Sequence, residues 1–310
     1  MVNTNSISMN FFIVLLLVNK IYTQSDPLYY KQHALKQMQI PKVWKMGLKG
    51  SKNIRICIID TGIDVYHPDL QTNLWTNPYE KLNGIDDDNN GIVDDIHGAS
   101  YQNGIGSNNT IDNHGHGTMV AGIIAATHNN GVGITGIVQN VSIISCKFLD
   151  DKGFGTAIDA MLCIDYCVEQ NVSIINASWG SMNKIYNIPD YTLEILEKKN
   201  IVLVAASLIS GPMYPADSPF SNIVNTNMIK TPYKHIISTF PPHLYEFMSG
   251  ESCGVAHITG CLGLLFGDSK IRKQMYPIIY NLSQNINTYN FYPNDTESFN
   301  LYDFISRYIN

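Results

Sequence analysis

Three residues in this chain have the types and settings needed for acyl transfer. Asp60 closes the run Ile58-Ile59-Asp60 before Thr61-Gly62, His116 sits in Gly115-His116-Gly117-Thr118, and Ser252 sits in Ser249-Gly250-Glu251-Ser252. A serine hydroxyl is a poor nucleophile at neutral pH. An imidazole must take its proton, and a buried carboxylate must hold that imidazole in the right tautomer. Each block suits one of these roles, with Ser252 as nucleophile, His116 as general acid and base, and Asp60 as the orienting carboxylate. Any one block alone also reads as a buried polar residue in an ordinary turn; the three together point to catalysis. His114 and His116 form a His-x-His pair of the kind a metal hydrolase uses, but no motif supplies a third ligand.

The flanking residues predict how these groups are carried. The apolar run Ile54–Ile59 reads as a buried parallel strand, and Thr61-Gly62 breaks it so that the Asp60 carboxylate emerges at the strand's C-terminal edge. In open α/β sheets ligands and catalytic groups collect at that edge. His116 opens onto Met119–Ala126, a helix starting at or just before it, and Ser252 precedes Gly254–Gly260, a small-residue helix able to bury itself centrally. Strand-like runs at Ile54–Ile59, Val141–Phe148, Val172–Ile175, Ile201–Ala205 and Ile223–Met228 alternate with helix-length segments. That alternation predicts an α/β fold with a mostly parallel central sheet covered by helices on both faces.

Ile58-Ile59-Asp60-Thr61-Gly62-Ile63-Asp64 and Asp112-Asn113-His114-Gly115-His116-Gly117-Thr118-Met119-Val120-Ala121-Gly122, taken in the order Asp, His, Ser, resemble the signatures of the subtilisin-like serine protease family (peptidase S8). Met119 replaces the family's usual second histidine. The third signature is looser, since Gly-Thr-Ser-Met-Ala-x-Pro has become Gly250-Glu251-Ser252-Cys253-Gly254-Val255-Ala256. The resemblance runs from about Asp26 to near the C-terminus and looks most like the malaria-parasite branch, in keeping with an Asn-, Ile- and Lys-rich texture. It implies a subtilisin-like three-layer fold and a serine endopeptidase. Asn176-Ala177-Ser178-Trp179-Gly180 resembles the segment that binds substrate backbone and lines the main specificity pocket. Phe148–Gly155 resembles the facing segment, which pairs with an extended peptide by strand addition. Gly153, Phe154, Gly155, Ala177, Ser178, Trp179 and Gly180 are therefore the candidate substrate-binding residues, although simple loop glycines would account for the glycines alone.

The stretch Asn83–Asp95 concentrates five carboxylates around a glycine turn. Packed like charges repel unless a cation lies among them, and hard oxygen donors suit calcium. Asp86, Asp88, Asn90, Asp94 and Asp95 are the candidate ligands. The opening Asp86-x-Asp88-x-Asn90-Gly91 is similar to an EF-hand loop, but His97 stands where that loop carries its bidentate Glu. Similar insertions in secreted subtilisins bind structural calcium; a solvated acidic loop is the alternative.

At 310 residues and a net charge of −6 without a basic stripe, the chain suits one large domain and argues against a nucleic-acid partner. Phe11–Val18 is too short to span a bilayer but has the length of a signal-peptide core, although the preceding residues lack Lys and Arg. Residues 1–23 are thus expected to be a signal peptide and 24–310 a peptidase domain without a recognisable pro-domain, secreted or held at the cell surface, with no transmembrane segment in the mature chain. Six cysteines permit disulfides, but their pairing is not readable. Cys57 and Cys146, inside apolar strands, are expected as buried free thiols at least as readily as bridged ones, and Cys163 and Cys167 share one side of a helix over Ala157–Glu169. A zinc site lacks a completing motif.

Two departures from the family bear on activity. The oxyanion-hole asparagine belongs after the strand Ile201–Ala205, where this chain reads Ala205-Ala206-Ser207-Leu208. Leucine has no donor, which predicts slow turnover. Only 44 positions separate Leu208 from Ser252, fewer than the family pattern leads one to expect, so a strand pair beside the cleft is expected to be missing. A slow endopeptidase and a catalytically inactive peptide-binding pseudoprotease both fit these residues.

Overall fold

A computed structural model describes residues 25–181, 188–207, 213–218, 220, 222–226, 229–284 and 299–309. The expected signal peptide (1–23) and Leu208 lie outside the described residues.

In chain order the elements are α1 (His33–Gln37), α2 (Ile40–Lys45), β1 (Gly50–Asp60), β2 (Gly98–Gln102), β3 (Ile105–Ser107), α3 (His116–Ala125), β4 (Asn140–Lys147), α4 (Ala157–Glu169), β5 (Ile174–Ala177), α5 (Asp190–Lys198), β6 (Val202–Ala205), β7 (Ile223–Asn225), β8 (Ile236–Phe240), β9 (Leu244–Met248), α6 (Glu251–Phe266), α7 (Ser269–Gln284) and α8 (Leu301–Tyr308). Seven strands form one sheet in the order β3-β2-β4-β1-β5-β6-β7. All neighbours are parallel except the β2–β3 hairpin, and β8 and β9 form a separate antiparallel pair.

Strand periodicity explains the three layers. On β1, Ile54, Ile56 and Ile58 join a core with Val141, Ile143, Ile174, Val202 and Val204, closed by α3 and α6 through Val120, Ile124, Val255 and Leu262. The alternate residues Cys57 and Ile59 join Ile144, Cys146, Ile175 and Leu203 in a second core, closed by α4 and α5 through Cys163, Ile164, Leu193 and Leu196. Residues two apart share a face, so a strand buried on both sides reads as an unbroken apolar run. The α/β fold expected from the sequence is present, with a mostly parallel sheet between two helical layers. From β1 the chain crosses to β2 and β4 on one flank, then to β5 on the other, so the order reverses at β1. That reversal opens a crevice at the C-terminal ends of β4, β1 and β5.

The cysteine expectation needs correction. Cys57 pairs with Cys167 and Cys146 with Cys163, at Cα–Cα distances of 6.0 and 5.7 Å. Cys253 and Cys261 are the buried free thiols among the described residues. Cys57 aligns with Ile144 and Ile59 with Cys146 in the β1–β4 ladder. The two strand cysteines therefore point to the same face on adjacent strands, directly under the α4 face that carries Cys163 and Cys167.

Non-reducing peptide mapping should recover these two bridges, with Cys253 and Cys261 alkylated only after denaturation. Removing the bridges should cost about 3 kcal/mol for the 17-residue span and nearly 5 kcal/mol for the 110-residue span, read from denaturant midpoints.

Candidate active site

Asp60 is the last residue of β1 and has no solvent exposure. Its Oδ1 accepts the Thr61 N–H at 2.7 Å. The turn that follows is pressed against the start of α3: a Cβ on Gly117 would fall 2.1 Å from the Gly62 carbonyl oxygen, and Gly62 itself has φ +109°. Only glycine permits that backbone contact. Asp112 ties both segments together. Its Oδ1 accepts from Thr61 Oγ1 (2.9 Å), His114 N (3.1 Å) and Gly115 N (2.7 Å), and its Oδ2 from Thr118 N (2.9 Å) and Thr118 Oγ1 (2.6 Å). Thr61 Oγ1 in turn accepts the Gly117 N–H at 2.9 Å. A carboxylate buried this deeply is tolerable because donors surround it and the positive end of the α3 dipole faces it. On the other side Lys147, the ladder partner of Asp60, donates from Nζ to the Thr61 carbonyl at 2.7 Å.

These contacts place the His116 ring between a carboxylate and a hydroxyl. Nδ1–H donates to Asp60 Oδ1 at 2.7 Å, and Nε2 lies 2.8 Å from Ser252 Oγ at the first turn of α6. The negative charge of Asp60 is the largest influence on the imidazole and raises its pKa; burial opposes the rise, and the hydrogen bond to Asp60 and the charge of Asp112 add to it. Ser252 Oγ also lies 3.2 Å from the Ser178 carbonyl oxygen. His114 stands aside, with its ring centroid 6.2 Å from that of His116.

A sequence profile of the subtilase family matches residues 51–208, half of the chain and the part that carries Asp60 and His116. The chain belongs to the subtilase family. It is 41% identical over 189 residues to subtilisin-like protease 1 of Plasmodium berghei (strain Anka), covering 60% of this chain and 30% of that protein. With subtilisin-like protease 2 of Plasmodium falciparum (isolate 3D7) it shares 31% identity over 269 residues, covering 76% of this chain and 19% of that protein. With thermitase of Thermoactinomyces vulgaris it shares 28% identity over 284 residues, covering 86% and 93%. The chain thus spans less than a third of the length of the first two of these relatives.

This subtilase has a cleft of about 830 Å³ beyond the C-terminal ends of β4 and β5, walled by Phe148, Leu149, Ile158, Trp179, Ile188 and Tyr214. Gly153, Phe154, Gly155 and Gly180 line it too. Phe148 and Trp179 meet edge to face at 4.8 Å, and Trp179 Nε1–H donates to the Ile59 carbonyl at 2.8 Å, fixing the cleft wall to β1. Ala177 behaves differently, lying inside the second core as the last residue of β5.

The acidic loop is brought together selectively. One carboxylate oxygen from each of Glu80, Asp88 and Asp95 lies within 4.8 Å of the others. Asn77 Nδ2–H donates to Asp88 (3.0 Å) and to Asp95 (2.7 Å), while Asn90 Nδ2–H and the Tyr166 hydroxyl reach Asp95 at 3.0 and 2.5 Å. Asp86 and Asp94 are elsewhere: Asp86 accepts the N–H groups of Asn90 and Gly91, and Asp94 those of Asn83 and Gly84. Burial raises the Asp95 pKa against the pull of Tyr166, Asn77 and Asn90, and the charge of Asp88 adds to the rise. Sequence reasoning missed Glu80, which precedes the acidic run, and the tying role of Asp112, which looked like part of a histidine motif.

By NMR the His116 imidazole should titrate above its ordinary value of 6.5, staying protonated to higher pH than a free histidine. Asp60→Asn should move that midpoint down, because the largest cause of the rise is then gone. A wild-type midpoint at or below 6.5 would contradict this geometry.

Proposed function

We propose that this subtilase is a serine endopeptidase that hydrolyses extended peptide or protein substrates in the secretory pathway or at the cell surface. The observation that carries the reading is the unbroken contact from Asp60 through the His116 ring to Ser252 Oγ, at 2.7 and 2.8 Å. In this scheme Ser252 Oγ attacks the scissile carbonyl carbon as its proton passes to His116 Nε2. Asp60 stays ionised and stabilises the imidazolium. The developing oxyanion would meet the backbone N–H of Ser252 at the positive end of α6. His116 then returns its proton to the leaving amine, and a water repeats the sequence to release the acyl group. Peptide backbone would run along Gly153–Gly155 and Ser178–Gly180.

Leu208, at the position of the side-chain oxyanion donor, makes this a slow enzyme in the same reading. Residues 1–23 would act as a signal peptide, and no described helix is long and apolar enough to cross a membrane. The alternative is a pseudoprotease that keeps the cleft as a binding surface, favoured by Leu208 and by the altered Gly250-Glu251-Ser252 loop.

We also propose structural calcium at the acidic loop. Glu80, Asp88 and Asp95 offer hard oxygen donors, and none of them is in an ion pair among the described residues. Asp95 has no solvent exposure, so a cation among these like charges would relieve an unfavourable burial. The ion would hold the loop after β1 to Tyr166 of α4.

A fluorophosphonate probe should label wild type and not Ser252→Ala; absence of label in both would favour the pseudoprotease. Leu208→Asn should raise peptide turnover by about one to three orders of magnitude, the span that one oxyanion donor covers.

For calcium, chelation should lower the melting temperature, and restoring the ion at a hundred times its dissociation constant should return about 2.7 kcal/mol. Asp95→Asn should abolish that dependence, whereas equal melting in chelator and in millimolar calcium would reject the site.

A further inference from the structure

Ser178 directly precedes the cleft residue Trp179 and contacts the candidate nucleophile. Its carbonyl oxygen lies 3.2 Å from Ser252 Oγ, and its own hydroxyl lies 3.5 Å from the Ser252 carbonyl oxygen. Ser252 Oγ has one hydrogen and two acceptors within reach, His116 Nε2 at 2.8 Å and the Ser178 carbonyl. The place of the Ser178 peptide therefore bears both on which acceptor is served and on where a substrate carbonyl can be presented.

A short buried relay fixes that peptide from behind. Asn176 Nδ2–H donates to Ser178 Oγ at 2.9 Å, and Asn176 Oδ1 accepts the Thr259 hydroxyl hydrogen at 2.9 Å. Asn176 and Thr259 have no solvent exposure, and Ser178 is 6% exposed. An asparagine amide is an acceptor at one end and a donor at the other. The bond from Thr259 to Oδ1 thus turns Nδ2 toward Ser178. Thr259 lies on α6 itself, two turns beyond Ser252. His257, also polar and buried on that helix, spends Nδ1–H on the Cys253 carbonyl at 2.6 Å within the helix. Thr259 instead reaches from the helix to the sheet.

We propose that Thr259 is a positioning residue: through Asn176 it holds the Ser178 peptide at a fixed distance from Ser252 and so sets the register of substrate in the cleft. This rests on the reading of Ser252 as the nucleophile. The relay joins the helix that carries the nucleophile to the strand end that carries the cleft wall, so the two move as one body.

The test compares Thr259→Val, which keeps shape but loses the hydroxyl, with Thr259→Ser, which keeps the hydroxyl. Thr259→Ala takes the place of the valine variant if that one fails to fold. Deuterium uptake over residues 176–181 should rise in Thr259→Val and stay at the wild-type level in Thr259→Ser. With a tetrapeptidyl p-nitroanilide, kcat/KM should fall about tenfold in Thr259→Val, mostly through KM, as one buried polar group is left unpaired. Labelling by a small fluorophosphonate, which does not fill the cleft, should change by less than about twofold. Unchanged uptake and turnover in Thr259→Val, or a serine variant as impaired as the valine one, would overturn the proposal. If no variant, wild type included, takes the phosphonate label, the nucleophile reading fails by itself. Deuterium uptake then decides the positioning role: a rise reversed by serine supports it, and no rise overturns it.

Discussion

Burying a carboxylate away from solvent is costly unless donors meet it, and Asp60 has two donors on Oδ1 while its Oδ2 is buried with no hydrogen-bond partner among the described residues. Its place at the end of the central strand dictates much of what surrounds it. The Thr61 N–H and the His116 ring satisfy Oδ1, and the ring can arrive there only because Gly117 lets α3 start against the Gly62 carbonyl. Asp112 then meets five donors drawn from both segments, so the turn after β1 and the start of α3 cannot separate without stranding a second buried anion. The geometry at His116 is therefore over-determined by buried charge as well as by packing.

The same logic recurs on the other face of the sheet. Asp95 is buried against Tyr166 of α4, and burial, reinforced by the Asp95 charge, pushes the Tyr166 phenol pKa up. Glu80 accepts the N–H groups of Asp87, Asp88 and Asp94, so the acidic loop is folded around a carboxylate rather than around an apolar side chain. Two disulfides fasten α4 to β1 and β4 under this loop, and α4 begins where the cleft segment Gly153–Gly155 ends. The far ends of the cleft and the acidic loop are thus joined through one cross-linked helix. Disulfides of this kind persist in oxidising environments.

Asp60 and His116 stand in signatures that match the family, whereas Leu208, Glu251 and Ala256 are among the residues that depart from it. Activation of the serine and stabilisation of the oxyanion are separable contributions to rate. A chain can retain the first while losing part of the second.

The local part of this structure was legible in the sequence. Apolar runs located β1, β4, β5 and β6 to within a few residues, the Thr61-Gly62 break placed Asp60 at a strand end, and α4 begins and ends where its pattern indicated. Strand and helix periods are properties of consecutive residues, so they survive without knowledge of partners. The β2–β3 and β8–β9 hairpins were less visible: Gly98-Ala99-Ser100 has no apolar run, and β9 is largely exposed. Which cysteines meet, why Glu80 joins Asp88 and Asp95 while Asp86 and Asp94 turn to backbone, and how Thr259 reaches Asn176 were decided only by the tertiary structure. Each depends on which strands are neighbours and which face a side chain takes across a ladder, and such pairings join residues from distant parts of the chain through sheet order, which no local pattern encodes.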